Sequence, residues 1–397
     1  MTAGFRFRIT IGLATLLMLT LSWPLWAGGA DFPRVPFVAG LAEAPDWFET
    51  GMTLLLMAAI VAGIARRAWM GAAAVLMVAL IAEDQHRFQP WAYQFVMAAL
   101  AIATTSGARA SSLCRLFLVA LYFHSGLSKL DASFCQGLGL TFLQTATHPL
   151  GGHPASWPEA ARTAAILAMP ASEIAVAVGL VFAKTRRFAL VAAVGLHATL
   201  ILILGPWGLD QSTIVVVWNA ALIAEVLLLF GSAAAPSAEP ESRLAPWTTA
   251  AFALAAIVPT GERLGLCDAW PAFAYYASHV ERLEVEVQAA DVEELPDAIR
   301  RATVGDGPWR RIDLTAWSRS VRGVPVYPQA RACLGLAEAL AARYRGARAL
   351  RVTLRGGADR WTADRGTTTA ALGLRAIRAL GDRHRLNAHP APTRRGL

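Results

Sequence analysis

Within its first 260 residues the chain carries nine apolar runs, at about 9–27, 47–65, 69–82, 91–105, 113–127, 160–183, 188–204, 213–230 and 244–259. A bilayer core asks for roughly 20 consecutive apolar residues, and several runs fall short of that, so the expectation is eight or nine spanning helices. Backbone polar groups in lipid are satisfied only within helices or closed barrels, which restricts runs of this kind to a helical bundle. With 55% hydrophobic and 16% charged residues the chain is too apolar for a soluble globule. The first run follows Arg6 and Arg8 and ends near Ala27, Gly28, Gly29 and Ala30. It reads as a span, because about 19 apolar residues are long for a signal peptide.

Orientation follows from the connections. Arg6 and Arg8, Arg66 and Arg67, Arg109 with Arg115, and Lys184 with Arg186 and Arg187 fall on alternate ones, which marks those as cytoplasmic. The opposite connections carry Asp31, Glu43, Asp46 and Glu49, then 83–87, 129–159, and Asp210 with Gln211. One face, the outer one, therefore collects nearly every chemically capable group. The expected residence is a bacterial inner membrane, multi-pass, with the N-terminus cytoplasmic.

A short linker at 231–240 precedes the last run, which is short and alanine-rich and is read as crossing. That reading makes 1–260 a transmembrane domain and 261–397 an Arg-rich extracytoplasmic domain. From Val280 onward the chain holds 21 Arg, no Lys and 13 acidic residues. Alternation at 282–288 and 349–355 reads as strands, the spacing at 292–301 and 329–345 as helices, and 323–328 as a rigid extended turn. The fold class expected is an all-α polytopic membrane bundle of about 8–9 transmembrane helices, followed by a small α+β soluble domain.

Four clusters on the outer side could carry chemistry. The first is the polar turn with Asp84, His86 and Arg87 before Trp91, suited to a polar head or a quinone carbonyl. The second is Lys129 with Asp131. Lys occurs only at 129 and 184, against 34 Arg. An ammonium can lose its proton when buried and a guanidinium cannot, so Lys129 is the candidate base; Asp131 is read as capping nearby backbone and, with Asp84, His86, Arg87 and Trp91, as a candidate for quinone binding. The third is intramembrane: Glu173, His197, Asn219 and Glu225, with His197 close enough to the outer end to line a cavity and Glu225 near the cytoplasmic boundary. The fourth is the turn at 206–211. The cysteines at 114, 135, 267 and 333 follow no metal or CxxC spacing, and no metal is expected. Walker, Rossmann, HExxH and GxSxG patterns are absent. An outward face would never meet nucleic acid, so none is expected as a partner.

Tyr122-Phe123, Gly126, Lys129-Leu130-Asp131-Ala132, Ser133-Phe134 and Gly137 together resemble the motif of the vitamin K-dependent γ-carboxylase family and its bacterial relatives, the horizontally transferred transmembrane (HTTM) domain proteins. The resemblance spreads more loosely over about 5–260, through the polar turn before Trp91 and the helix that holds His197. It implies that Lys129 deprotonates a reduced naphthoquinone of the vitamin K type, with O2 and CO2 as co-substrates and carbon–carbon bond formation as the lyase outcome. It further implies His197 as a catalytic residue, a Cys135–Cys267 disulfide tethering core to tail, and an acidic protein or peptide substrate. Three positions depart from the motif: Ser128 replaces a lysine, and Ser133-Phe134 replaces Asp-Trp. The competing expectation is a non-catalytic membrane scaffold or small-molecule carrier that keeps the fold.

Overall fold

The computed structural model describes residues 3–28, 31–231, 242–347 and 349–392. Most of the 231–240 linker, and Gly29 with Ala30, lie outside the described residues. The bundle consists of α1 (Ala3–Leu21), the short α2 (Trp23–Trp26), α3 (Asp46–Ala65), α4 (Ala68–Glu83), α5 (Pro90–Thr104), α6 (Gly107–Ser128), α9 (Glu159–Val181), α10 (Arg186–Leu204), α11 (Thr213–Phe230) and α12 (Ala245–Ile257). Between α6 and α9 lie α7 (Ala132–Gln136) and α8 (Leu138–Thr147). Six of the described helices, α1, α3, α6, α9, α10 and α11, are long and apolar enough to cross a membrane; α4 and α5 are shorter apolar helices.

Local sequence explains where these helices begin. The Ser106 side chain accepts from the Arg109 amide and starts α6 earlier than the apolar run alone suggests. Pro90 at the first turn of α5 costs no hydrogen bond there, and Ser212 caps α11. The stretch 129–159, read from sequence as a polar connection, is instead folded. Phe134, Phe142 and Leu143 of α7 and α8 pack on Ile166, Ile203 and Leu204 as an apolar layer over the ends of α9 and α10.

The C-terminal domain holds β1 (Arg282–Gln288), α13 (Asp297–Arg301), β2 (Thr303–Val304), β3 (Trp309–Ile312), α14 (Leu314–Arg322), α15 (Ala330–Arg343), β4 (Arg351–Arg355), β5 (Thr368–Leu372) and α16 (Gly373–Gly381). The sheet is antiparallel, in the order β2-β3-β1-β4-β5. Val285, Val287 and Val352 face Leu336, Leu340, Ile377 and Leu380, so α15 and α16 cover one side of it. The two strands and the long helix expected from periodicity are β1, β4 and α15.

This domain packs on the connections that the charge pattern grouped on one face. Arg322 pairs with Asp84 at 3.2 Å, Arg331 donates to Gln85, the Tyr327 amide donates to His86, and Arg360 O accepts from the Ala132 amide. The domain therefore lies on the same side of the bundle as Lys129.

Candidate functional site: an intramembrane cavity

The outer end of α6 is built around a close helix crossing. A Cβ at Gly126 would stand 2.6 Å from Pro170 O and 2.7 Å from Ile174, so only glycine permits this approach of α6 to α9. The crossing brings Lys129, the C-cap of α6, onto Glu173. Lys129 Nζ donates to Glu173 Oε1 at 2.9 Å and Oε2 at 2.8 Å, and to Ser125 Oγ at 2.7 Å and Ser125 O at 3.0 Å. An ammonium has three N–H donors, and all are engaged. Lys129, read from sequence as the candidate base, is one half of a buried pair in which the ammonium and the Glu173 carboxylate reach each other from two helices inside the bundle.

Beside this pair lies a cavity of about 350 Å³ among α6, α9, α10 and α11. Leucine, isoleucine and aromatic side chains make most of its wall, with Lys129, Glu173, Ser125, Tyr122, His197 and Asn219 as its polar part. Ser172, Ala192 and Thr199 line it and are exposed on the bundle's surface, which gives the cavity a lateral mouth between α9 and α10. His197 is held from both sides, by Tyr122 OH on Nε2 at 2.6 Å and by Asn219 Oδ1 on Nδ1 at 2.8 Å. Trp218 on the same wall donates to Gln94, which in turn donates to Glu225 at 2.6 Å. Glu225, near the end of α11 where the sequence reading put it, is buried in a hydrogen-bonded line.

Asp84, His86 and Arg87 do not line this cavity. Arg87 is spent on Glu49 at 2.7 Å and on the carbonyls of Leu25 and Leu80. Burial pushes His86 down to about 3, and its neutral Nδ1 accepts from the Tyr327 amide at 3.0 Å. The polar turn is consequently a dock for the C-terminal domain, where a membrane end had to present charge to a soluble partner. Trp91 lines a second cavity, about 290 Å³, that shares Val215, Trp218, Tyr275 and Tyr276 with the first and lies under 324–328.

Asp131 caps α7 by accepting from the Phe134 amide at 2.7 Å, in keeping with the capping role read for it, and does not line the cavity. It also pairs with Arg263 at 2.6 Å and with His279 Nδ1 at 3.0 Å, while His279 Nε2 meets Glu262 at 2.9 Å. Burial opposes charge on Asp131, but hydrogen bonds from His279, Ser133 and the Phe134 amide outweigh it and hold the group at about 2. His279 is raised: burial opposes its charge, and the two carboxylates prevail. Cys135 and Cys267 are free thiols. Cys135 belongs to the apolar layer over α9, whereas Cys267 lines a polar cleft with Arg331 and Asp268, so the bridge implied by resemblance is absent.

Sequence reasoning missed Tyr122 as a partner of His197, and it missed 269–277 altogether. That segment plugs the top of the bundle: Phe273 is fully buried against Phe117 and Tyr93, and Tyr275 and Tyr276 enter the cavity wall. Phe273 and Tyr276 have φ of 59° and 61°, conformations unusual outside glycine and held here by the packing. Its aromatic density just after the last apolar run was the available signal.

Fold and site together define an integral membrane protein with a ligand-sized cavity inside its bundle. One family model matches, over residues 107–214: the family described as methylamine utilisation protein MauE. The match runs from the start of α6 into α11 and includes Lys129, Glu173 and His197. It also contains the motif that had suggested the HTTM and carboxylase families, and it corrects that assignment: the similarity is to a different membrane family. No curated protein and no solved structure matches the chain.

Proposed function

We propose that the chain is a non-catalytic binding or carrier protein for a small, lipid-soluble ring compound bearing a polar group, with quinone-class molecules as the leading candidates. The carrying observation is the cavity itself: a volume at the lower end of the usual range for small-molecule sites, apolar walls, and a polar corner made by Lys129 and Glu173. The lateral mouth between α9 and α10 suits entry from the bilayer. Glu173 and Ser125 take up Lys129 Nζ between them, an arrangement that favours a binding role over base chemistry. The name of the matched family refers to methylamine utilisation; a cavity of about 350 Å³ is far larger than a one-carbon amine fills, so the family supports the membrane setting of this reading more than an amine ligand. The C-terminal domain and the cavity mouth belong, on this reading, to the outer side of a bacterial inner membrane.

The test is extraction of lipid-soluble molecules that copurify with the protein, comparing wild type with Leu200→Trp, which fills the cavity. A ring compound near one per protein in wild type and absent from the variant supports the reading. Identical lipid profiles from both proteins overturn it.

A further inference from the structure

The hydrogen-bond chain beside the cavity determines what it can recognise. Asn219 Nδ2 donates to Val215 O at 2.8 Å, which fixes the amide with Oδ1 towards His197. An amide oxygen only accepts, so His197 Nδ1 must carry the proton of that 2.8 Å contact. Buried among apolar walls, the ring is neutral, and Nε2 is then a lone-pair acceptor. The 2.6 Å contact with Tyr122 therefore runs from the phenol O–H to Nε2. With its proton committed, Tyr122 offers the cavity only oxygen lone pairs. The hydroxyls of Ser125, Ser172, Thr199, Tyr275 and Tyr276 can rotate into either role, and both Glu173 oxygens accept from Lys129 Nζ, so Tyr122 is the discriminating position.

We propose that the ligand donates a hydrogen bond to Tyr122, so that the cavity selects a hydroxyl- or N–H-bearing ring compound, such as a phenol or hydroquinone, over its carbonyl or ether counterpart. Asn219 is the positioning residue that sets this preference through the His197 tautomer. The inference rests on the binding reading above. Replacing Asn219 by leucine removes the acceptor at Nδ1, lets the proton move to Nε2, and turns the Tyr122 O–H towards the cavity.

The experiment measures binding of 2-naphthol, 2-naphthylamine, 2-methoxynaphthalene and 1,4-naphthoquinone to the full chain in lipid nanodiscs. Wild type should bind the naphthol or the amine about tenfold more tightly than the methyl ether, the size of one good hydrogen bond; which donor binds better identifies the source of the N–H or O–H. Asn219→Leu should shift the preference towards the quinone, and Tyr122→Phe should abolish it while retaining the naphthalene ring. A methyl ether that binds wild type as well as naphthol does, or a preference that survives in Tyr122→Phe, overturns the inference while leaving the binding reading intact. Failure of all four compounds to bind wild type overturns both.

Discussion

Lys129 and Glu173 meet through two hydrogen bonds of 2.8 and 2.9 Å, one residue closing α6 and the other lying in mid-α9, and both are buried. Removing one charge of such a pair strands the other in low dielectric. Glu173→Gln should destabilise the protein by about 3–5 kcal/mol, and the double variant Lys129→Met/Glu173→Gln by much less. Chemical unfolding in detergent measures both; equal losses for single and double variants would show that the charges are not coupled.

The pair depends on the approach of the helices. Gly126→Ala would press a methyl onto Pro170 O, a backbone atom that cannot swing aside. Overpacking of this kind typically costs about 1–3 kcal/mol. Because the separation it forces also lengthens the Lys129–Glu173 contact, the loss should be smaller when measured in the Lys129→Met/Glu173→Gln background.

Tyr275 presents the opposite case. Its hydroxyl is buried without a hydrogen-bond partner among the described residues, although the ring packs edge-on against Trp218 at 5.3 Å. Tyr275→Phe should therefore leave stability unchanged within about 0.5 kcal/mol or raise it, since an unsatisfied polar atom is removed and the ring kept. A loss above about 1.5 kcal/mol would mean that the hydroxyl has a partner in solution.

The seam between bundle and C-terminal domain should depend on pH in both directions. His279 is raised above its ordinary 6.5, so its contribution is complete below 6.5 and is lost as pH climbs through the folded value. A neutral imidazole has one N–H and can serve only one of Asp131 and Glu262. Asp131 is lowered from 3.8 to about 2, so its contribution is complete above 3.8 and disappears as pH falls towards 2. Hydrogen-exchange protection at 129–135 and 279–282, relative to the intrinsic rate at each pH, should be greatest between roughly pH 4 and 6.5, and His279→Gln should remove the alkaline limb.

How much of this the sequence revealed follows from the physics of each element. Apolar helices announce themselves by length and apolarity, so α3 to α5 and α9 to α12 lie within a few residues of the runs, although six of the described helices, not eight or nine, are long enough to cross a membrane; β1 and β4 alternate as half-buried strands do. The site was legible residue by residue and illegible in its pairing. Lys129, Glu173, His197 and Asn219 all stood out as polar groups among apolar ones, but which of them touch depends on the Gly126 crossing and on helix rotation. Asp84, His86 and Arg87 looked like ligand-binding groups because burial against a following domain leaves the same polar signature as burial against a ligand. The β2 and β3 strands are short and β5 is a largely exposed edge strand, so none of them carries a clear alternating apolar pattern.

The most direct measurement is a titration of the nanodisc-embedded protein with 2-naphthol, wild type against Leu200→Trp, with unfolding curves confirming that both are folded. The expected result is saturable binding near one per protein in wild type and at least about a tenfold loss when the cavity is filled. Saturable binding of equal strength in both proteins, or none in wild type across lipid-soluble ring compounds, would contradict a ligand site between α6, α9, α10 and α11.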